Sequence, residues 1–136
     1  MTFGALLATT PLLILMASGD LDRDTEKQFE KIADVVAMAQ TCRQHDFEVD
    51  DAGINGWSDR AVELAVTQGM ERADARARLD QEIAREYEYV QEQFNTAQRM
   101  SHSRDHVVRF NRRMKRTCER LADDDMAGAY FTEVDT

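Results

Sequence analysis

A long apolar repeat, uninterrupted by Pro or Gly, constrains the fold of this chain more than any other feature. Between residues 71 and 99, apolar positions recur at steps of 4, 4, 3, 4 and 3, namely Leu79, Ile83, Tyr87, Val90, Phe94 and Ala97. This near-heptad spacing predicts one long helix that packs lengthwise against another helix. The small residues Ala73, Ala75 and Ala77 at its start would let that neighbour approach closely.

The same periodicity predicts one helix near each end of the chain. The first spans residues 25–44 and begins with a capping-box pattern from Thr25 to Gln28. The last spans residues 103–122, with Ser103 as its N-cap. Their apolar stripes consist of Phe29, Ile32, Val36, Ala39 and Cys42 in the first helix and Val107, Phe110, Met114, Cys118 and Leu121 in the last.

The segment before the long helix is broken by glycine. Residues 46–57 contain Gly53, Gly56 and a cluster of acids, which predicts a loop. Four apolar residues would hold this loop against the bundle: Phe47, Val49, Ile54 and Trp57. A short second helix is then expected from its cap, Ser58, to Gly69, which favours the left-handed conformation that ends helices.

Two cysteines, Cys42 and Cys118, predict one disulfide in an exported chain, while two buried thiols are the alternative. Both lie near the C-terminal ends of their helices, so the first and last helices are expected to run roughly parallel, with the long helix returning between them. We therefore predict an all-α fold: a small antiparallel bundle of three main helices and one short crossing helix. The domain would span residues 25–122, followed by an acidic tail, 123–136, in which Tyr130 and Phe131 could dock.

Residues 1–19 carry no charged side chain and precede an acidic segment, residues 20–24. An apolar centre followed by small residues and a polar start predicts a cleaved signal peptide and an acidic linker. Because no Lys or Arg precedes the apolar centre, an uncleaved inner-membrane anchor and a buried N-terminal helix stay open as alternatives. Fourteen Arg against three Lys are typical of a GC-rich bacterial genome, so a periplasmic or secreted location is predicted.

The net charge of −9 makes nucleic acid a poor partner, because an acidic surface repels phosphate. A local exception is a basic stripe in the last helix that consists of Arg109, Arg112, Arg113, Arg116 and Arg120. It predicts a surface for an anion or an acidic partner, to which an exposed Trp57 could add an anchor. In the opposing interpretation, Glu82, Glu86 and Glu88 are available as partners within the molecule, or the stripe is an ordinary solvated face, and Trp57 covers the core.

No motif for metal binding or catalysis stands out. His102 and His106 can share a helix face, and Cys42 with His45 has zinc-like spacing, but an exported chain favours oxidised sulfur. No carboxylate occupies an apolar stripe, where burial would raise its pKa, so no general acid or base is predicted. We expect no cofactor, no metal and no enzymatic activity.

Two functions are compatible with these features. The first is a small exported interaction module, or accessory subunit, that binds another envelope protein without catalysing a reaction. The second is an acid- or stress-linked periplasmic holdase, because neutralising 26 carboxylates would leave 17 basic side chains whose repulsion loosens the bundle. No membrane association is expected after removal of the leader, and the long helix could pair with a second copy to form a homodimer.

Overall fold

The computed structural model describes residues 21–135, so the predicted signal peptide lies outside the described residues. Four helices form the bundle, and two three-residue strands and a 3-10 turn complete it. In chain order the elements are α1 (Arg23–Gln44), β1 (Phe47–Val49), α2 (Asp51–Thr67), α3 (Arg72–Arg99), α4 (Arg104–Asp123), the 3-10 turn (Gly128–Tyr130) and β2 (Phe131–Glu133). The predicted all-α class is confirmed.

Helix α2 runs back along α1. The indole nitrogen Nε1 of Trp57 donates to Gln28 Oε1 at 3.2 Å, and Gln68, just after α2, accepts a hydrogen bond from the Asp22 amide at 3.0 Å. The end of α2 therefore lies beside the start of α1, while Trp57, near the start of α2, lies further along α1. The two helices are antiparallel. With 17 residues, or about 26 Å, α2 is a full member of the bundle rather than the short crossing helix expected.

Helix α3 runs in the same direction as α1 and packs against it more extensively than any other pair of helices does. Arg78 forms an ion pair with Glu26 at 3.1 Å, and two turns further along both helices Glu86 faces Asp34. The constant offset between partners shows that α1 and α3 lie parallel and in register. The close approach begins at Ala75, which is fully buried as predicted, whereas Ala73 and Ala77 are exposed and take no part in it.

Helix α4 is antiparallel to α1, which corrects the predicted topology. Lys31 pairs with Asp124 beyond the end of α4 at 3.0 Å, whereas the predicted disulfide joins Cys118 to Cys42 near the other end of α1. The disulfide is confirmed, with 5.5 Å between the two Cα atoms, but it does not determine helix direction. Because α2 returns the chain to the start of α1, α3 begins there, and α4 must run back in an up-down-up-down bundle.

The predicted loop at residues 46–57 is wrong, because it contains β1 and the first two turns of α2. Asp50 caps α2 by accepting from the Gly53 amide at 2.9 Å, and Ser58 is buried inside the helix rather than capping it. Gly53 makes room for two neighbours. A Cβ atom there would collide with the Asp50 carboxylate that caps the helix and would lie 2.8 Å from the ring of Tyr130, so glycine allows both the cap and the packing of the C-terminal segment on α2.

The start of α1 and the end of α2 meet in one hydrogen-bonded cluster. Asp22, not Thr25, caps α1, because its carboxylate accepts from both the amide and the hydroxyl of Thr25 at 2.8 Å. The side-chain nitrogen Nε2 of Gln68 in turn donates to Thr25 Oγ1 at 2.7 Å. Leu21 is buried beside this cluster, so the described part of the acidic linker packs on the bundle. As predicted, α2 is followed by a left-handed glycine, Gly69, with φ at +100°.

The C-terminal segment docks through the two aromatic residues that were predicted to allow it. The ring of Tyr130 stacks on Trp57 with centroids 5.3 Å apart, and Phe131 is only 4% exposed. Strand β2 pairs antiparallel with β1, with Val49 opposite Phe131. Asp124 starts this return by accepting hydrogen bonds from the two amides at residues 126 and 127.

Candidate partner-binding surface on helix α4

The predicted basic stripe forms one exposed surface of α4. Four of its residues follow one another at steps of 4, 3 and 4, and the fifth, Arg112, lies beside them, which places the side chains on one side of the helix over about 17 Å. The opposite side is buried and is anchored by the disulfide at Cys118, so the arginines must face outward. We call this surface the arginine face, and it consists of Arg109, Arg112, Arg113, Arg116 and Arg120, all of them exposed.

The arginine face has no carboxylate partner within the described residues. Seven ion pairs join side chains between residues 21 and 135, and none of them includes one of its five arginines. Its internal contacts are weaker: the Arg113 guanidinium lies 5.5 Å from the centroid of the Phe110 ring, and Arg120 donates to Thr117 Oγ1 at 3.1 Å. Within residues 21–135, α3 therefore contributes no carboxylate that forms an ion pair with the arginine face.

Two of the three carboxylates expected to neutralise the stripe are engaged elsewhere, and the third, Glu88, is exposed. Glu82 pairs with Arg85 at 3.1 Å on its own helix, and Glu86 faces Asp34 across the α1–α3 interface. Helix α4 carries seven basic and three acidic residues, whereas the rest of the chain carries ten basic and 23 acidic ones. The arginine face is therefore a positive surface on an otherwise acidic protein, and such a surface attracts anionic groups.

A groove lies beside the arginine face, between α3 and α4. The two helices meet edge-to-face at Phe94 and Phe110, whose ring centroids are 5.0 Å apart, and they contact each other along only a short stretch. Beside this contact a cavity of about 600 Å³ is open to solvent. Tyr89, Met100 and Phe110 line it together with Arg109 and Arg113 of the arginine face.

The structure also tests the predicted positions of Trp57 and Tyr87. Trp57 is 6% exposed and covered by Tyr130, so of its two predicted roles the structure shows the one in the core. Tyr87 was expected in the core stripe of α3, but it is 55% exposed and Tyr89 is 60% exposed. The reason is that α4 covers only part of α3 and leaves both tyrosines uncovered.

Sequence reasoning missed one pair of carboxylates, Asp34 and Glu86. Burial raises the pKa of Asp34, although Lys31 partly opposes the shift. Burial also raises the pKa of Glu86, and the neighbouring Asp34 raises it further. The position of Asp34 between the buried Ala33 and Val35 is a weak signal in the sequence, but Glu86 could not be paired with it before the register of α1 and α3 was known.

The residues with metal-like spacing do not assemble into a site. Cys42 is bonded to Cys118, so its sulfur is not available as a thiolate ligand beside His45. Between residues 21 and 135, no three His, Cys, Asp or Glu side chains lie close enough together to hold a metal ion. In the same range no helix is both long and apolar enough to cross a membrane.

No protein-family model, curated protein or solved structure matches this chain. Function must therefore be argued from the geometry and charge of its own residues. The buried disulfide fits a protein of an oxidising compartment.

Proposed function

We propose that this protein is a small exported interaction module that binds an acidic region of another envelope protein through the arginine face. The observation that supports it is the set of five exposed arginines without a carboxylate partner in the described part of an acidic chain. Export is supported by the apolar, uncharged residues 1–19 together with a disulfide, which oxidising compartments preserve.

Carboxylates are the anionic groups that this surface suits best. Arginine stays charged at all physiological pH values and holds a carboxylate through two parallel hydrogen bonds. A long polyphosphate such as DNA would extend beyond the face, which is about 17 Å long, and would meet the acidic surface around it. A compact acidic patch on a partner protein could match the face without that repulsion.

Charge reversal at the centre of the face tests the proposal. Poly-L-glutamate serves as the probe, and binding is measured by fluorescence anisotropy at low and at physiological salt. The variant Arg113→Glu/Arg116→Glu should weaken binding by about ten-fold or more, because two attractions become repulsions. The matched control, Arg104→Glu/Lys115→Glu, changes the net charge equally at exposed positions of α4 outside the arginine face.

The control separates a specific surface from overall charge. Equal weakening by both variants, or no binding by the natural sequence at low salt, would overturn the assignment of the arginine face. In the native organism, an affinity-tagged chain should recover one defined envelope protein, and the Arg113→Glu/Arg116→Glu variant should recover much less of it. The intact mass of the exported protein, before and after reduction, tests leader removal and the disulfide together.

One observation favours an acid-activated holdase as a second candidate. Burial tends to raise the pKa of Asp124, but hydrogen bonds from Ala127 and Lys31 leave that pKa lower than usual. Because this folded-state pKa is depressed, its stabilising effect is present at neutral pH and is lost as pH falls through it. Acid would then release the segment that covers Trp57. Prevention of client aggregation at pH 3 but not at pH 7 would support this function, and failure at both would exclude it.

A further inference from the structure

The groove beside the arginine face continues along α3 and α4 beyond the cavity described above. A second cavity, of about 570 Å³, lies between α1, α3 and α4 and shares Tyr89, Gln93 and Arg113 with the first. Arg109 and Arg113 line the first cavity, and Arg113 and Arg120 line the second. We call the two together the α3–α4 groove. It follows α3 from Glu86 to Met100, a length of about 21 Å.

The two sides of this groove differ in chemistry. One side presents apolar surface from Tyr89 and Ala97 of α3 and from Met100 just after it, and the one carboxylate on this side, Glu92, pairs with Arg99. The other side presents Arg109 and Arg113 without carboxylate partners in the described residues. The second cavity is also lined by Asp34, Glu86 and Asp124, so the unbalanced positive charge of the groove lies at the first cavity. A ligand that fits both sides needs an apolar stripe and a row of acids next to it.

We infer that the α3–α4 groove is the docking site for an acidic amphipathic helix of the partner protein. This inference rests on the proposed function and specifies its partner. Two antiparallel helices with a groove between them can accept a third helix, and a groove of about 21 Å accommodates about four helical turns, or 14–16 residues. The apolar stripe of the docked helix contacts Tyr89 and Phe110, and its carboxylates pair with Arg109 and Arg113.

A second copy of the chain fits this groove less well. The large apolar side chains exposed between residues 21 and 135 are Tyr87, Tyr89, Val108, Met126 and Val134. Helix α3 alone carries two of these, and they are two residues apart, so they point in nearly opposite directions on a helix. The described part of the chain therefore offers no acidic helix with a free apolar stripe, and charge complementarity favours a different protein.

Three probes separate the groove from the arginine face. The first is a labelled peptide of about 16 residues with Leu on one helical face and Glu on the other positions. The second has the same composition in scrambled order, so that no apolar stripe forms. The third is poly-L-glutamate, which requires only the arginine face. The full exported chain should bind the amphipathic peptide about ten-fold more tightly than the scrambled one.

Two pairs of matched variants then locate the binding site. Arg109→Glu/Arg113→Glu changes the groove, whereas Arg112→Glu/Arg116→Glu makes the same charge change on the arginine face without touching the groove. Tyr89→Ala removes an exposed side chain of the groove, and Tyr87→Ala removes a comparably exposed side chain outside it. Circular dichroism and urea unfolding confirm that every variant is folded.

The inference predicts a specific pattern of losses. Arg109→Glu/Arg113→Glu should weaken binding of the amphipathic peptide by about ten-fold or more and Tyr89→Ala by about three- to ten-fold, while their controls change it by about three-fold or less. Both charge variants should weaken the binding of poly-L-glutamate to a similar extent. Equal binding of the two peptides would overturn the assignment of the groove as a helix-docking site but would not contradict binding by the arginine face. Absence of binding by all three probes would overturn both.

Two further outcomes would assign the groove to a ligand other than an acidic helix. Sedimentation equilibrium that shows a dimer, abolished by Arg109→Glu/Arg113→Glu, would assign the groove to a second copy and overturn the inference. Tighter binding to phosphatidylglycerol vesicles than to the amphipathic peptide, lost in the same variant, would assign it to a lipid surface and also overturn it. A monomer that binds the peptide but not such vesicles supports the inference.

Discussion

The side of the molecule formed by α1, α2 and the C-terminal segment differs sharply from the outer surface of α4 in how it uses charge. On the first side, Asp22 and Asp50 cap helices, and Asp124 both caps a turn and pairs with Lys31. On the second side, the five arginines of the arginine face have no carboxylate partner in the described residues. Charge on the first side stabilises the fold, whereas charge on the second side forms no ion pair within the described residues.

The two regions also differ in burial. Ten of the 22 residues of α1 are buried, whereas only four of the 20 residues of α4 are. Helix α1 contacts all three other helices, while α4 contacts α3 along a short stretch and is tied to α1 by the disulfide. A weakly packed helix with a covalent anchor can present a wide polar surface, because its attachment does not depend on burying that surface. The following predictions test this difference, from the largest expected effect to the smallest.

Removal of the disulfide should have the largest effect and should act mainly on α4. The bond closes a loop with a sequence separation of 76 residues, which corresponds to about 4–5 kcal/mol of unfolding free energy in the chain-entropy description. Cys42→Ala/Cys118→Ala should lose most of this in urea unfolding, and hydrogen exchange should increase in α4 before α1. A loss below about 1 kcal/mol, or equal exchange in both helices, would contradict the anchoring role.

Truncation of Phe131 should be next in size. This side chain is 4% exposed in the sheet that returns to β1, and Phe→Ala at buried positions costs about 3–5 kcal/mol. We expect a value near the lower limit, because the segment can relax at the end of the chain. Val134→Ala, at a position that is 39% exposed, is the control and should change the unfolding free energy by about 0.5 kcal/mol or less. Similar values for both variants would show that the segment is not docked.

The carboxylate pair between α1 and α3 predicts a smaller effect that depends on pH. Burial raises the pKa of both Asp34 and Glu86, so their protonated forms stabilise the folded state in acid, and this contribution is lost as pH rises through the folded-state values. Asp34→Asn should therefore stabilise the protein at pH 7 by less than about 1 kcal/mol and have little effect at pH 3.

The exposed position Asp80, also on a bundle helix, provides the control for that measurement. Asp80→Asn should change the thermal midpoint little at either pH, because no neighbouring carboxylate across an interface is relieved. A destabilised Asp34→Asn variant at pH 7 would show instead that the interaction with Lys31 outweighs burial.

Truncation of the arginine face should have the smallest effect on stability. Arg112→Ala/Arg116→Ala removes no ion pair within residues 21–135 and no buried contact. The unfolding free energy should change by about 0.5 kcal/mol or less, while binding of poly-L-glutamate falls. A loss above about 1.5 kcal/mol would mean that these arginines support the fold, and would remove the contrast between the two regions.

Local pattern predicted the helices far better than their arrangement. Helix α3 begins at residue 72 against the predicted 71, and α4 spans 104–123 against the predicted 103–122. The start of α2 was missed because Gly53 usually breaks a helix, whereas here it makes room for Tyr130, which is 77 residues away in sequence. The basic stripe followed from spacing alone, but whether carboxylates reach it depends on which helices are neighbours.

The sequence by itself determined the helical class, the disulfide partners and the basic stripe of α4, because each depends on composition or on residues a few positions apart. Only the tertiary structure decided the parallel register of α1 and α3, the direction of α4, the burial of Trp57 and the pairing of Asp34 with Glu86. These features depend on how side chains from distant segments fill common space. Periodicity along one helix specifies which side is apolar, but it does not specify which neighbour covers that side.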